Sequence, residues 1–249
     1  MDDTTSSAAD SRKFPTTAWT LIRAAQDSQQ TDHVEALQQF AARYWKPVFY
    51  FVRAKGHPLH AAEDLIQAFF LRLLEKDWLR PADAQRGRFR TFLLTMLTRF
   101  LADQGPARAP GQMNFERQLV SIGSLMSDAD RMFEPAHSET AETLFMRQWA
   151  AALVNTVTQR LRGFYDAEGR PEWFDAFQAM PPEQPGQAAP TQHDLADQLG
   201  MTRDQVRYAL SMAEQRFAHF LREEVRDQVG SEEDVGEEIN ELLAILNPS

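Results

Sequence analysis

An all-α fold follows from three features of the chain. Apolar residues recur at three- and four-residue intervals along most of its length, as amphipathic helices require. No segment shows the strict apolar–polar alternation of a half-buried strand. Proline- and glycine-bearing stretches cut the helical text, and one of them, 104–138, predicts a flexible linker between two helical domains. The expected layout is a disordered N-terminus (1–13), a first helical domain (14–103), the linker (104–138), a second helical domain (139–228) and an acidic C-terminal extension (229–249).

The elements take the following order. Residues 1–13 are rich in Ser, Thr and Asp, with almost nothing to bury. Phe14-Pro15-Thr16-Thr17 opens a helix to about Asp27, with Pro15 near its first turn. From Val34 onward, Leu37, Phe40, Ala41, Tyr44, Val48 and Phe51 share a helical face, with Pro47 an expected kink. Gly56-His57-Pro58 ends that helix. The next runs from about His60 to Lys76 and carries Leu65, Ile66, Phe69, Phe70, Leu73 and Leu74. A polar loop, Arg80 to Gly87, precedes an apolar helix from Phe89 with Phe92, Leu93, Met96, Leu97, Phe100 and Leu101.

The linker holds Gly105-Pro106, Pro110-Gly111 and Pro135, with room for short helical pieces. A long helix resumes near Glu139 and reaches about Phe164, a turn closes at Gly169-Arg170-Pro171, and Glu172–Met180 makes a short helix. Pro181 to Pro190 is a stiff loop before a second helical unit, 191–228. Val235, Ile239, Leu242, Leu243 and Leu246 keep helical spacing in the tail, so it should end in an amphipathic helix that docks.

Composition bounds the function. The chain has 249 residues and a net charge of -10, and its 43% apolar content is enough for buried cores. With no cysteine there is no disulfide framework, thiolate metal site, iron–sulfur cluster or cysteine nucleophile. Met1–Asp10 is no signal peptide and no apolar run reaches a membrane-spanning length, so a soluble, cytoplasmic protein is expected. The six histidines lack metal-ligand spacing, and neither a catalytic triad nor a phosphate-cradling glycine loop is present. We expect no enzyme, metal, cofactor, membrane or small-molecule substrate.

The acidity is unevenly spread. Residues 35–222 hold 22 groups of each sign, while Glu223 to the end carries nine acids and one base. Within the neutral middle, Arg80 to Arg108 has six arginines against Asp83 and Asp103. A local basic patch therefore sits beneath an acidic tail.

Thr191 to Val206 fits a helix-turn-helix. Thr191 and Asp194 suit a capping box, and Ala196 is small where two helices cross. Gly200 suits a left-handed turn position, and Thr202 can cap the second helix. Val206 and Leu210 would pack back onto Leu195 and Leu199. The first turns of such a second helix face the major groove, here with Arg203, Asp204, Gln205, Arg207 and Tyr208. A plain helical hairpin is the alternative. Four arginines against four acids from Asp194 to Arg222 make its phosphate-neutralising charge weak.

In this order, Phe14-Pro15-Thr16-Thr17-Ala18-Trp19, Tyr44-Trp45-Lys46-Pro47-Val48, Ala62-Glu63-Asp64-Leu65-Ile66-Gln67-Ala68-Phe69-Phe70, Leu74-Glu75-Lys76-Asp77, Arg86 to Leu94, the helix-turn-helix and Leu221-Arg222-Glu223-Glu224-Val225 carry a resemblance. The chain resembles an extracytoplasmic-function sigma factor of bacterial RNA polymerase. It is most similar to the branch, common in planctomycetes, linked to Ser/Thr protein kinases. The resemblance covers about 14–103 and 139–246. It implies a first domain (sigma region 2-like) that binds the polymerase clamp and melts and reads the -10 element. A second (sigma region 4-like) domain would bind the polymerase flap and read the -35 element.

Carried onto this chain, the clamp contact falls on Glu63, Asp64 and Gln67, and the loop that captures a flipped -10 base on Leu79–Arg88. Arg86, Arg88, Arg90 and Arg99 suit contact with melted promoter DNA, and Arg203, Gln205, Arg207 and Tyr208 suit the -35 element. Simpler readings stand beside these. Glu63 and Asp64 also suit a helix's first turn, and Arg86, Arg88 and Arg90 a solvated loop. Trp19, Trp45, Trp78, Trp149 and Trp173 read as core.

The chain departs from the family in places. Ala61 and Ala68 stand where the clamp helix usually has acids, which weakens complementarity to a basic clamp. In one related kinase-activated group a phosphothreonine near this helix supplies such charge. Here no Ser or Thr lies between Asp32 and Arg90, so any such site falls outside that window, with Thr16, Thr17 and Thr20 preferred. The continuation of the recognition helix, Ser211 to His219, is poor in arginine where relatives are rich. For the tail, residues 231–246, packing on the second domain as a solvated acidic helix is preferred; folding back to mask the arginine surface is the alternative.

Three functions are consistent with this text. One is a sigma factor that partners core RNA polymerase and promoter DNA, with a Ser/Thr kinase as a further partner. Another is a non-initiating adaptor that binds polymerase or a kinase through protein contacts. The third is a stand-alone helix-turn-helix regulator.

Overall fold

The computed structural model describes residues 33–73, 88–103, 125–135, 139–180, 190–229 and 231–246, with the side chains of His33, Val34 and Leu37 outside that description. The helix expected over 14–27, the loop residue Arg86, Thr16, Thr17 and Thr20, and most of the linker lie outside the described residues. Within them the fold is all-α, with helices and no strand.

Apolar spacing sets each helix and local chemistry sets its ends. α1, His33–Ala54, runs unbroken through Pro47, which costs it one intrahelical donor. Its buried positions, Phe40, Ala41, Tyr44, Trp45, Val48, Phe49, Phe51 and Val52, cover much more than one stripe. Such a helix belongs at the centre of a core. Gly56, at φ 93°, turns the chain out of it. α2, Leu59–Leu73, and α3, Phe89–Asp103, bury single stripes led by Ile66, Phe69 and Phe70, and by Phe89, Leu93 and Leu97.

A one-turn helix, α4 (Asp128–Arg131), lies in the stretch read as linker and is closed by a capping box between Ser127 and Asp130. It is pinned to α1. The Tyr50 hydroxyl donates to Asp130 at 3.0 Å, Lys46 Nζ lies 3.4 Å from the same carboxylate, and Arg53 donates to the Phe133 carbonyl at 2.9 Å. Burial pushes Asp130 up, but hydrogen bonds from Ser127, with Lys46 and Tyr50, outweigh it and hold the carboxyl below its usual range. Tyr50 moves the other way, to about 12, through burial and its bond to Asp130.

α5, Ala141–Ala167, starts at the Thr140 cap, and α6, Pro171–Ala179, at a first-turn proline. α7, Gln192–Leu199, α8, Arg203–Arg226, and α9, Asp234–Leu246, complete the chain. The largest core joins α1, α2 and α3 to the first half of α5 (Phe145, Trp149, Leu153), the end of α8 (Val225) and α9 (Val235, Leu242). Rings dominate it: Tyr44 stacks on Trp149 at 4.7 Å and 15°, and Phe89 meets Phe40 edge-on at 5.9 Å. The second half of α5 (Val157, Leu161, Tyr165) packs with Phe174 of α6 and Ala213 and Phe220 of α8 in a second core. α5 is thus shared by both. Trp45 and Trp149 are core residues as expected, and Trp173 is partly buried, while Trp19 and Trp78 lie outside the described residues.

Candidate nucleic-acid interface

The helix-turn-helix forms as its residues dictate. Thr191 Oγ1 accepts from the Asp194 N–H, and Asp194 accepts from the Thr191 N–H at 2.8 Å, giving the expected capping box. The Thr191 hydroxyl also donates to the Asp194 carboxylate at 2.7 Å, and that bond first, with the one from the Thr191 N–H, holds the carboxyl below its usual range. Gly200 has φ 64° and ψ 28°, the left-handed turn anticipated there. Leu195, Ala196, Val206 and Leu210 are buried together, with Leu199 partly buried against them and Ala176 of α6 closing the cluster.

Arg203, Gln205, Arg207 and Tyr208 are all exposed on the first turns of α8. Two of them already have partners. Gln205 is the third residue of α8 and its carbonyl accepts the Thr202 N–H at 2.8 Å, so its oxygen serves the cap. Arg207 lies 3.0 Å from Asp204 in an exposed pair, which water and salt weaken. Tyr208 rests edge-on against Trp173 at 5.5 Å.

On α2, Asp64 is exposed on the side away from Ile66, Phe69 and Phe70, and Glu63 and Gln67 are half-buried along the edge of that apolar stripe. His60 Nδ1 sits 3.8 Å from Glu63.

The described arginines assigned to DNA contact, or alternatively to a solvated loop, are not equally open. Arg99 is exposed, but Arg88 is half-buried and Arg90 is buried. Arg90 Nε and Nη2 donate to the two oxygens of Glu238 at 2.7 and 2.9 Å, a bidentate pair, and Nη2 also meets Glu241 at 2.6 Å. Arg88 Nε lies 2.9 Å from Glu238, and its Nη1 donates to Glu241. The Glu238 side chain is only 2% exposed. The bond from Arg88 is the main reason that the Glu241 carboxyl is held below its usual range, and the Arg88 guanidinium is raised in turn.

The acidic helix packs on the second domain, as preferred from the sequence, but it does not stand clear of the arginines. It packs on α5 and the end of α8 through Val235, Ile239 and Leu242, and it places two carboxylates over Arg88 and Arg90. The route there is short: the Phe89 N–H donates to the Gln228 carbonyl at 2.9 Å, so the end of α8 meets the start of α3.

The sequence offered the tail as a mask over the arginine surface only as the alternative and named no partner for either arginine, although a signal was present. Glu238 falls three residues after Val235 and four before Leu242, within the apolar stripe of α9. Arg90 falls three before Leu93 and seven before Leu97, within the stripe of α3. An acid in one apolar stripe and a base in another are candidates for one buried pair. Among the described residues no group of His, Asp or Glu is arranged to hold a metal ion, and no helix is long and apolar enough to cross a membrane. Comparison with protein-family models, with curated proteins and with solved structures gave no match.

Proposed function

We propose that the chain is an alternative sigma factor that binds core RNA polymerase and directs initiation at a small set of promoters. The observation that carries this reading is the helix-turn-helix. Its turn closes on Gly200, both helices start with capping boxes, and Arg203, Arg207 and Tyr208 stand exposed on the second helix, where a major groove would be met. The all-helical fold and the polar residues Glu63, Asp64 and Gln67 of α2 are consistent with it. In this reading those α2 residues meet the polymerase clamp, α3 and its arginines meet melted -10 DNA, and α8 meets the -35 element. The residues assigned to DNA supply few phosphate contacts, so promoter affinity comes mainly through the polymerase.

A second reading is favoured by one specific observation. Arg90, Arg88, Gln205 and Arg207 are already engaged within the chain, which suits an adaptor that binds polymerase or a kinase through protein contacts alone. Run-off transcription from a genomic promoter library with purified core polymerase, with and without the protein, separates the two. Discrete new start sites are expected. Polymerase binding with no new transcript would point to a missing activation step or to the adaptor, and the absence of both would remove the sigma-factor reading and leave only an adaptor that binds a kinase.

A further inference from the structure

We propose that α9 is an intramolecular stand-in for nucleic acid, clasping Arg88 and Arg90 so that the arginine surface opens only when the helix is displaced. The inference rests on the reading of that surface as a site for melted promoter DNA.

Three observations carry it. The contact is chemically what a phosphate backbone would make: carboxylate oxygens of Glu238 meet Arg90 as a fork and Arg88 through Nε, and Glu241 bridges both guanidinium groups. Arginine donors saturated in this way have little left for a DNA strand. The clasp is also local to the proposed site, because Arg88 immediately precedes α3, whose arginines that reading assigns to melted DNA. Finally, the helix is tethered beside its target. The Gln228 carbonyl receives the Phe89 N–H, and Arg226 pairs with Glu232 across the turn into α9.

A tethered competitor acts at millimolar effective concentration, so moderate contacts suffice to keep the site closed. The apparent affinity for DNA is then the intrinsic affinity multiplied by the open fraction. Val235 and Leu242 supply the apolar hold, whereas the carboxylates supply the occlusion. Charge removal on the half-exposed Glu241 should shift the balance without disturbing the buried Glu238.

The test is binding of a fluorescein-labelled single-stranded DNA oligonucleotide to the full chain at low salt, read by anisotropy. The variants are Glu241→Gln, Glu238→Gln/Glu241→Gln and Arg88→Ala in the Glu241→Gln background, with helicity checked by circular dichroism. We expect Glu241→Gln to bind about 10-fold more tightly than the parent. The double variant should be tighter still, and Arg88→Ala should cancel the gain. If the parent, Glu241→Gln and the double variant bind equally and adding Arg88→Ala to Glu241→Gln weakens binding, the clasp is overturned while the DNA reading stands. If none of these full-length chains binds while each keeps the parent's helicity, the arginines are not a nucleic-acid surface and both fall. Should the double variant fail to fold, Glu241→Gln alone decides.

Discussion

Arg88, Arg90 and Arg99 lie within twelve positions of each other, yet they occupy three environments: bridged and half-buried, buried and forked, and exposed. Residue type alone made them equivalent; position in the apolar register separated them. The same holds for Tyr50, which sequence places one position off the buried stripe of α1 and which the fold commits to Asp130 across 80 residues. Its phenol is pushed up to about 12, so the neutral form is the one the folded state holds. That contribution is fully present below the ordinary value of 10 and is lost as pH rises toward 12. Tyr50→Phe should cost about 1 kcal/mol at neutral pH. The gap between parent and variant should narrow above pH 10, as read from urea midpoints along a pH series. A gap that stays constant to pH 12 would show that the hydroxyl bond carries none of it.

Element ends were the most legible feature of the text. Thr191 with Asp194, Gly200 and Thr202 each predicted a local geometry, and each forms, because a cap or turn needs only groups within four residues. What the same reasoning did not see is that Gln205 completes the second capping box while also standing on the proposed reading face. Thr202→Ala should lower stability by about 1 kcal/mol through the lost cap. Gly200→Ala should cost a similar ~1 kcal/mol, since its added methyl meets open space but the left-handed backbone resists a Cβ. Thermal unfolding of the two variants checks both. An unchanged midpoint for Gly200→Ala would mean that the turn relaxes out of φ 64° at little cost.

At the scale of the whole molecule, α5 decides the architecture. Its first half fills the core of α1, α2 and α3 with Phe145 and Trp149, and its second half belongs with α6 and α8. The Arg43–Glu224 pair adds an ionic tie between α1 and the end of α8. A fragment ending at Asp103 would leave Tyr44 and Phe89 without the Trp149 ring that lies against both. Truncating buried aromatics typically costs ~3–5 kcal/mol each, comparable to a small domain's whole stability. That fragment should therefore lack a cooperative unfolding transition alone and regain one when co-expressed with 125–249. Cooperative melting of 1–103 by itself would contradict this.

The sequence by itself determined the helical class, the positions of the described helices other than the one-turn α4 to within a few residues, the caps of the helix-turn-helix and the existence of an amphipathic acidic tail. All of these rest on spacing and on hydrogen bonds made within a turn or two of chain. Tertiary structure alone decided that α5 serves two cores, that Asp130 pins the described part, 125–135, of the stretch read as linker, and that the tail closes over Arg88 and Arg90. Those outcomes depend on which faces meet across 80 to 150 residues of chain, where charge and apolarity say what can pair but not what does.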